Sequence, residues 1–134
     1  MNVNKLVIHC ADTYPDMDIG LKEITQWHLQ RGFSDVGYHY IIRRDGTTEK
    51  GRSELVMGAH VKGHNHDSLG ICLVGGKARN GEQACNFTSA QWITLSKLVR
   101  ALKDVHQCDV VGHNDLDKNK TCPTFDVKSW AETI

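Results

Sequence analysis

His9, His113 and Cys122 are the residues of this chain whose side chains, taken together, suggest a metal. Imidazole nitrogen and thiolate sulfur are the donors zinc takes most readily. His9 ends the apolar segment KLVIH, residues 5–9, and His113 ends DVVGH, residues 109–113. If those segments run as parallel neighbouring strands, both imidazoles emerge at one edge of the sheet, where open α/β sheets place their sites. Nine residues after His113 the loop GHNDLDKNKTCPTFD can return, and Pro123 stiffens the backbone so that Cys122 is aimed at the same point. Three protein ligands in place of four would leave a position for water, which distinguishes a catalytic zinc centre from a structural one.

The same residues admit two other readings. Cys122 could be the nucleophile of a thiol hydrolase with His113 as its base. His60, His64 and His66, in GAHVKGHNHDSLG, offer a competing metal site, although glycines at 58, 63 and 70 suggest a loop that meets a ligand with its backbone. Cys10 follows His9 directly and, as adjacent strand residues point to opposite faces, is expected to face away from the metal.

The elements that must position these residues are legible in outline. Helical spacing of Leu21, Ile24, Trp27 and His28 predicts a first helix stopped by Gly32. GYHYIIRRDGTTEKG predicts two antiparallel strands turning at Asp45-Gly46, with Tyr38, Tyr40 and Ile42 on one face. LGICLVGG, residues 69–76, is an unbroken apolar run bounded by glycines and is expected at the centre of the sheet, covered on both faces. Thr88 and Gln91 form a capping box for a second helix, with Trp92, Leu95, Leu98, Val99, Leu102 and Val105 on its buried side. CDVVGHN is a short strand and FDVKSWAETI a terminal helix pinned by Val127 and Trp130. The expected architecture is one α/β domain spanning 1–134, a central mixed sheet flanked by about three helices.

Composition narrows the function classes. A chain of 134 residues buries roughly two-thirds of its unfolded surface as one domain and needs no disulfide staples. Sixteen basic and sixteen acidic residues cancel, so no global field favours nucleic acid or anionic lipid. Five cysteines without a C-x-x-C pair argue against a disulfide framework. The N-terminal residues lack the apolar core and cleavage site of a signal peptide, and no apolar run approaches the ~20 residues of a membrane span, so synthesis in the cytoplasm is expected.

The blocks VIHCADT, GLKEITQWH, DVGYHYIIRRDGTTEKGR, GAHVKGHNHDSLGICLVGG, NFTSAQW and KTCPTFD follow one another in a familiar order. Over nearly its whole length the chain resembles the zinc-dependent N-acetylmuramoyl-L-alanine amidases of the peptidoglycan-recognition-protein fold, in particular the short amidase lysozymes of short-tailed coliphages. The resemblance implies one zinc ion per chain, with His9, His113 and Cys122 as its ligands, and a catalytic centre that includes Tyr38 and Lys120. It also implies that His60 and Asn65 contribute to the groove that receives the muramyl peptide. The substrate would be peptidoglycan, cut between N-acetylmuramic acid and L-alanine in the periplasm or cell wall after synthesis in the host cytoplasm. A monomer is expected, with room for a regulatory protein partner such as a phage RNA polymerase.

In that reading Lys120 stabilises the oxyanion and Tyr38 orients or deprotonates the attacking water. A phenol with a pKa near 10 is a poor base at neutrality, which favours positioning or a tyrosinate stabilised by zinc and Lys120. On the residues alone, Tyr38 is also readable as a ring packed on the core and Lys120 as a solvated lysine. Glu49 and Glu54, after the hairpin turn, read as surface charges. A binding module on the same scaffold, recognising muropeptides without cutting them, is the alternative function.

Overall fold

Apolar runs too short for helices and flanked by glycine build the middle of the molecule. The computed structural model covers residues 1–134, and its elements are β1 (Lys5–Cys10), α1 (Leu21–Gln30), β2 (Tyr40–Ile42), β3 (Thr48–Lys50), β4 (Ser68–Leu73), α2 (Ser89–His106), β5 (Asp109–Gly112), α3 (His113–Leu116) and α4 (Val127–Ala131). They form one five-stranded sheet in the order β3-β2-β4-β1-β5. β1 runs parallel to β4 and β5, β2 runs parallel to β4, and β2–β3 is the antiparallel hairpin. The run expected to be central is therefore the middle strand, and the two histidine-bearing strands are parallel neighbours. No helix is long and apolar enough to cross a membrane.

Period-2 alternation divides the sheet into two faces. Leu6, Ile8, Cys10, Tyr40, Ile42, Leu69, Ile71 and Leu73 share the main core with Leu95, Val99 and Leu102 of α2. The other face carries Ile41, Cys72 and Val74 against Ile24 of α1, together with the buried His9 and His39. The α2 start is capped as the sequence predicts, Thr88 Oγ1 accepting from the Gln91 amide and Gln91 Oε1 from the Thr88 amide. Gln91 is fully buried, and its Nε2 donates to the carbonyls of Ile42 and Val74, tying the helix to β2 and to the chain just past β4.

Three expectations are corrected. Val105 is 73% exposed because the buried stripe continues from Leu102 to His106, whose ring bonds Glu54. Tyr38 does not share a face with Tyr40 and Ile42: the regular strand begins only at Tyr40, and the Tyr38 ring packs across the sheet against His9 and His28. Glu49 and Glu54 are anchored, Glu49 accepting the Leu21 amide at the start of α1 and Glu54 bonding the Tyr40 hydroxyl and His106. The expectation of about three flanking helices holds, with one further single turn, α3, forming directly at His113.

Candidate active site

His9 is the penultimate residue of β1, and the β1–β5 register places Ile8 opposite Gly112, so the next residues, His9 and His113, lie side by side where the β1–β5 pairing ends. Their ring centroids are 4.6 Å apart. α3 starts at once after β5 because the Asp115 carboxylate accepts the Gly112 amide at 2.8 Å, which turns the chain and exposes His113 at the corner. The loop then returns: the Asn114 amide donates to the Cys122 carbonyl at 2.8 Å. The Cys122–Pro123 peptide is cis. The donor atoms of His9, His113 and Cys122 all lie within 4.8 Å of one another.

The donor set suits a metal ion. Burial, then the neighbouring imidazoles of His60, His113 and His28, hold His9 well below its usual pKa, so its ring is neutral, the form that ligates. Burial and then the Lys120 charge lower His113 as well. The Cys10 amide donates to Cys122 Sγ at 3.0 Å, a contact that favours a thiolate. The hydrogen bond with the Cys10 thiol and then burial push the Cys122 thiol upward. His60, His64 and His66 do not converge as a second metal site: His60 turns toward His9, and His66 is 70% exposed in its side chain.

Tyr38 lies 5.1 Å from His9 between ring centroids and 5.3 Å from His28. Burial, followed by the surrounding thiols, raises its pKa well above the usual phenol value, which favours the protonated hydroxyl in the metal-free protein. Lys120 is exposed on the returning loop, its amide bonded to the Asp117 carbonyl. Its charge is near enough to His113 to act on that ring.

The loop that was expected to contact substrate is held from within. Asn65 Oδ1 accepts both the His60 and Val61 amides at 2.9 Å. His60 Nδ1 meets His9 Nε2 at 2.8 Å.

Residues 1–125 match the family described as N-acetylmuramoyl-L-alanine amidase. The chain belongs to that family. Among its relatives, the endolysin of Enterobacteria phage T3 is 47% identical over 128 residues, covering 95% of this chain and 84% of that protein. The solved N-acetylmuramoyl-L-alanine amidase LysC from Clostridium intestinale superposes with a TM-score of 0.82 at 32% identity, over 97% of this chain and 82% of its own. Bumblebee PGRP-SA, at 20% identity, shares the fold, with a TM-score of 0.81 over 98% of this chain and 81% of its own.

Within this amidase, several supporting residues had no separate signal in the sequence. His28 Nδ1 accepts the Gly37 amide at 2.8 Å, fixing the backbone just before Tyr38. His39 is buried, accepting the Gly70 amide on Nδ1 and donating from Nε2 to the Val56 carbonyl, which ties β2 to β4 and to the loop ahead of His60. Histidine-rich blocks hinted at such roles, but which rings support others depends on packing between distant segments.

Proposed function

We propose that the chain is an endolysin that hydrolyses the amide between N-acetylmuramic acid and L-alanine of peptidoglycan, using one zinc ion held by His9, His113 and Cys122. The convergence of those three donor atoms to within 4.8 Å, at the carboxyl edge of parallel strands, carries the reading. A zinc ion there supplies Lewis acidity and activates water for attack on an amide. Two neutral imidazoles and one thiolate leave the centre a net positive charge, and the Cys10 amide helps hold the sulfur in its ionised form.

Tyr38, a half-buried phenol beside His9, positions the attacking water through its hydroxyl. Lys120, exposed on the same loop, brings an ammonium to the negative charge that grows on the scissile carbonyl oxygen, and losing a donor to such an oxyanion costs roughly 3–4 kcal/mol. The loop holding His60 and Asn65 forms one wall of the substrate groove. With Asn65 Oδ1 committed to the backbone and the His60 ring bonded to His9, the Asn65 amide nitrogen and the loop backbone are the groups left for the muramyl peptide. The protein acts as a monomer on the cell wall.

Mass spectrometry of products from purified peptidoglycan tests the reading. Intact glycan strands and free stem peptides beginning with L-alanine are expected, abolished by chelation and restored by zinc. Binding to the wall without release would make the chain a recognition module, and full cleavage by metal-free protein would remove zinc from the mechanism.

A further inference from the structure

His9 is held from behind by a chain of hydrogen bonds that the metal site itself does not require. His9 Nε2 lies 2.8 Å from His60 Nδ1, His60 Nε2 lies 3.2 Å from Ser68 Oγ, and Ser68 Oγ donates to the His64 carbonyl at 2.7 Å. The last member fixes the direction of all the others. A carbonyl only accepts, so the single hydroxyl proton of Ser68 is committed to it. Ser68 can then only accept from His60, which places the His60 proton on Nε2 and a lone pair on Nδ1. His9 must donate to that lone pair from its own Nε2, and its remaining lone pair is on Nδ1.

We propose that His60 and Ser68 are positioning residues that preset His9 as the Nε2–H tautomer, with Nδ1 offered to the metal. The inference rests on the reading of His9 as a ligand and adds which nitrogen binds and what selects it. A ligating histidine is ordinarily oriented through its other ring nitrogen by an acceptor, which also raises its basicity. Here the acceptor is a second imidazole, itself oriented by a serine and a backbone carbonyl. The packing matches so specific a task. Ser68 is fully buried and His9 is 1% exposed, so no competing water-facing orientation is open to either. Glycines flank the His60 ring: a Cβ built on Gly70 would lie 2.6 Å from its Cγ, and one on Gly58 2.7 Å from its Cδ2. The ring is thereby confined to the plane in which both its nitrogens are used.

Two measurements on the full chain test this. Long-range 1H–15N NMR of the metal-free protein reads the tautomers directly, and both His9 and His60 should carry their proton on Nε2. Zinc affinity, measured by competition with a chromophoric chelator, should fall 10- to 100-fold in His60→Ala and about tenfold in Ser68→Ala. His60→Asn, whose side-chain oxygen can stand in for Nδ1, should recover much of the loss. Circular dichroism establishes that each variant is folded, and the tautomer measurement needs no variant at all. An Nδ1–H proton on His9, or zinc affinities within twofold of the parent in both His60→Ala and Ser68→Ala, would overturn the proposal. A parent protein that binds no zinc would instead overturn the metal centre, while the tautomers would still report on the relay.

Discussion

Gly70→Ala adds one methyl group in the middle of β4, directly against the His60 ring. The new Cβ would lie 2.6 Å from His60 Cγ, 2.8 Å from Nδ1 and 2.9 Å from Cδ2. Carbon atoms in contact sit about 3.5–4.0 Å apart, so the ring has to retreat by roughly 1 Å. The 2.8 Å link from His60 to His9 cannot survive a displacement of that size in most directions. Overpacking of this kind costs about 1–3 kcal/mol. For 134 residues the unfolding entropy is about 0.3 kcal/mol/K, so the melting temperature should drop by about 4–10 °C. Zinc affinity should fall about 10- to 100-fold through the lost partner of His9. The informative comparison is the double variant Gly70→Ala with His60→Ala. Removing the ring makes room for the methyl, so stability should return toward that of His60→Ala alone, while zinc affinity stays low. Differential scanning calorimetry and chelator competition read the two effects separately. Parent-like stability and zinc affinity in Gly70→Ala, or strictly additive stability losses in the double variant, would refute the reasoning.

Other outcomes follow from the same structure. Tyr38→Phe and Lys120→Met should each reduce kcat by about 10²-fold or more. Neither should change zinc affinity more than threefold, and a parent-like kcat on peptidoglycan would dismiss the assigned role. Gln91→Leu removes a buried amide that bonds Ile42, Val74, Thr88 and Arg44. At about 1–3 kcal/mol per buried group left without a partner, the loss is about 3 kcal/mol, or about 10 °C in melting temperature, and a shift under 3 °C would contradict it. Stability of the metal-free protein should also depend on pH. Burial, followed by His39, lowers His60 to about 3, from an ordinary value of 6.5. Between those values the unfolded chain binds more protons than the folded one, so stability is complete above pH 6.5 and is lost as pH falls toward 3. Melting temperature should therefore decline from pH 7 to 4.5 and decline less in His60→Ala; a flat profile in the parent would refute this.

The features legible in the sequence were those written in short stretches of chain. Apolar LGICLVGG announces a strand buried on both faces, Asp45-Gly46 a hairpin, Thr88 and Gln91 the start of α2, and Gly32 the left-handed stop after α1 at φ 92°. Strand-end histidines could be paired because the parallel arrangement needed only that pattern and a general rule about sheet edges. What stayed hidden joins residues far apart. The Cys10 amide meets the Cys122 sulfur across 112 positions, His9 meets His60 across 51, and Glu49 caps α1 from 28 residues downstream. Tyr38 lies on the opposite face from Tyr40 and Ile42 because the regular strand begins only at Tyr40, so alternation does not extend back to it. Val105 fits the spacing of α2, but its place on the buried side is taken by His106.

Metal content set beside activity, for the parent and Cys122→Ser, tests the central claim most directly. Elemental analysis after dialysis should find one zinc per chain in the parent and almost none in the folded variant, with peptidoglycan hydrolysis lost in step. A variant that keeps stoichiometric zinc, or a metal-free parent that still releases stem peptides, would contradict a centre built on His9, His113 and Cys122.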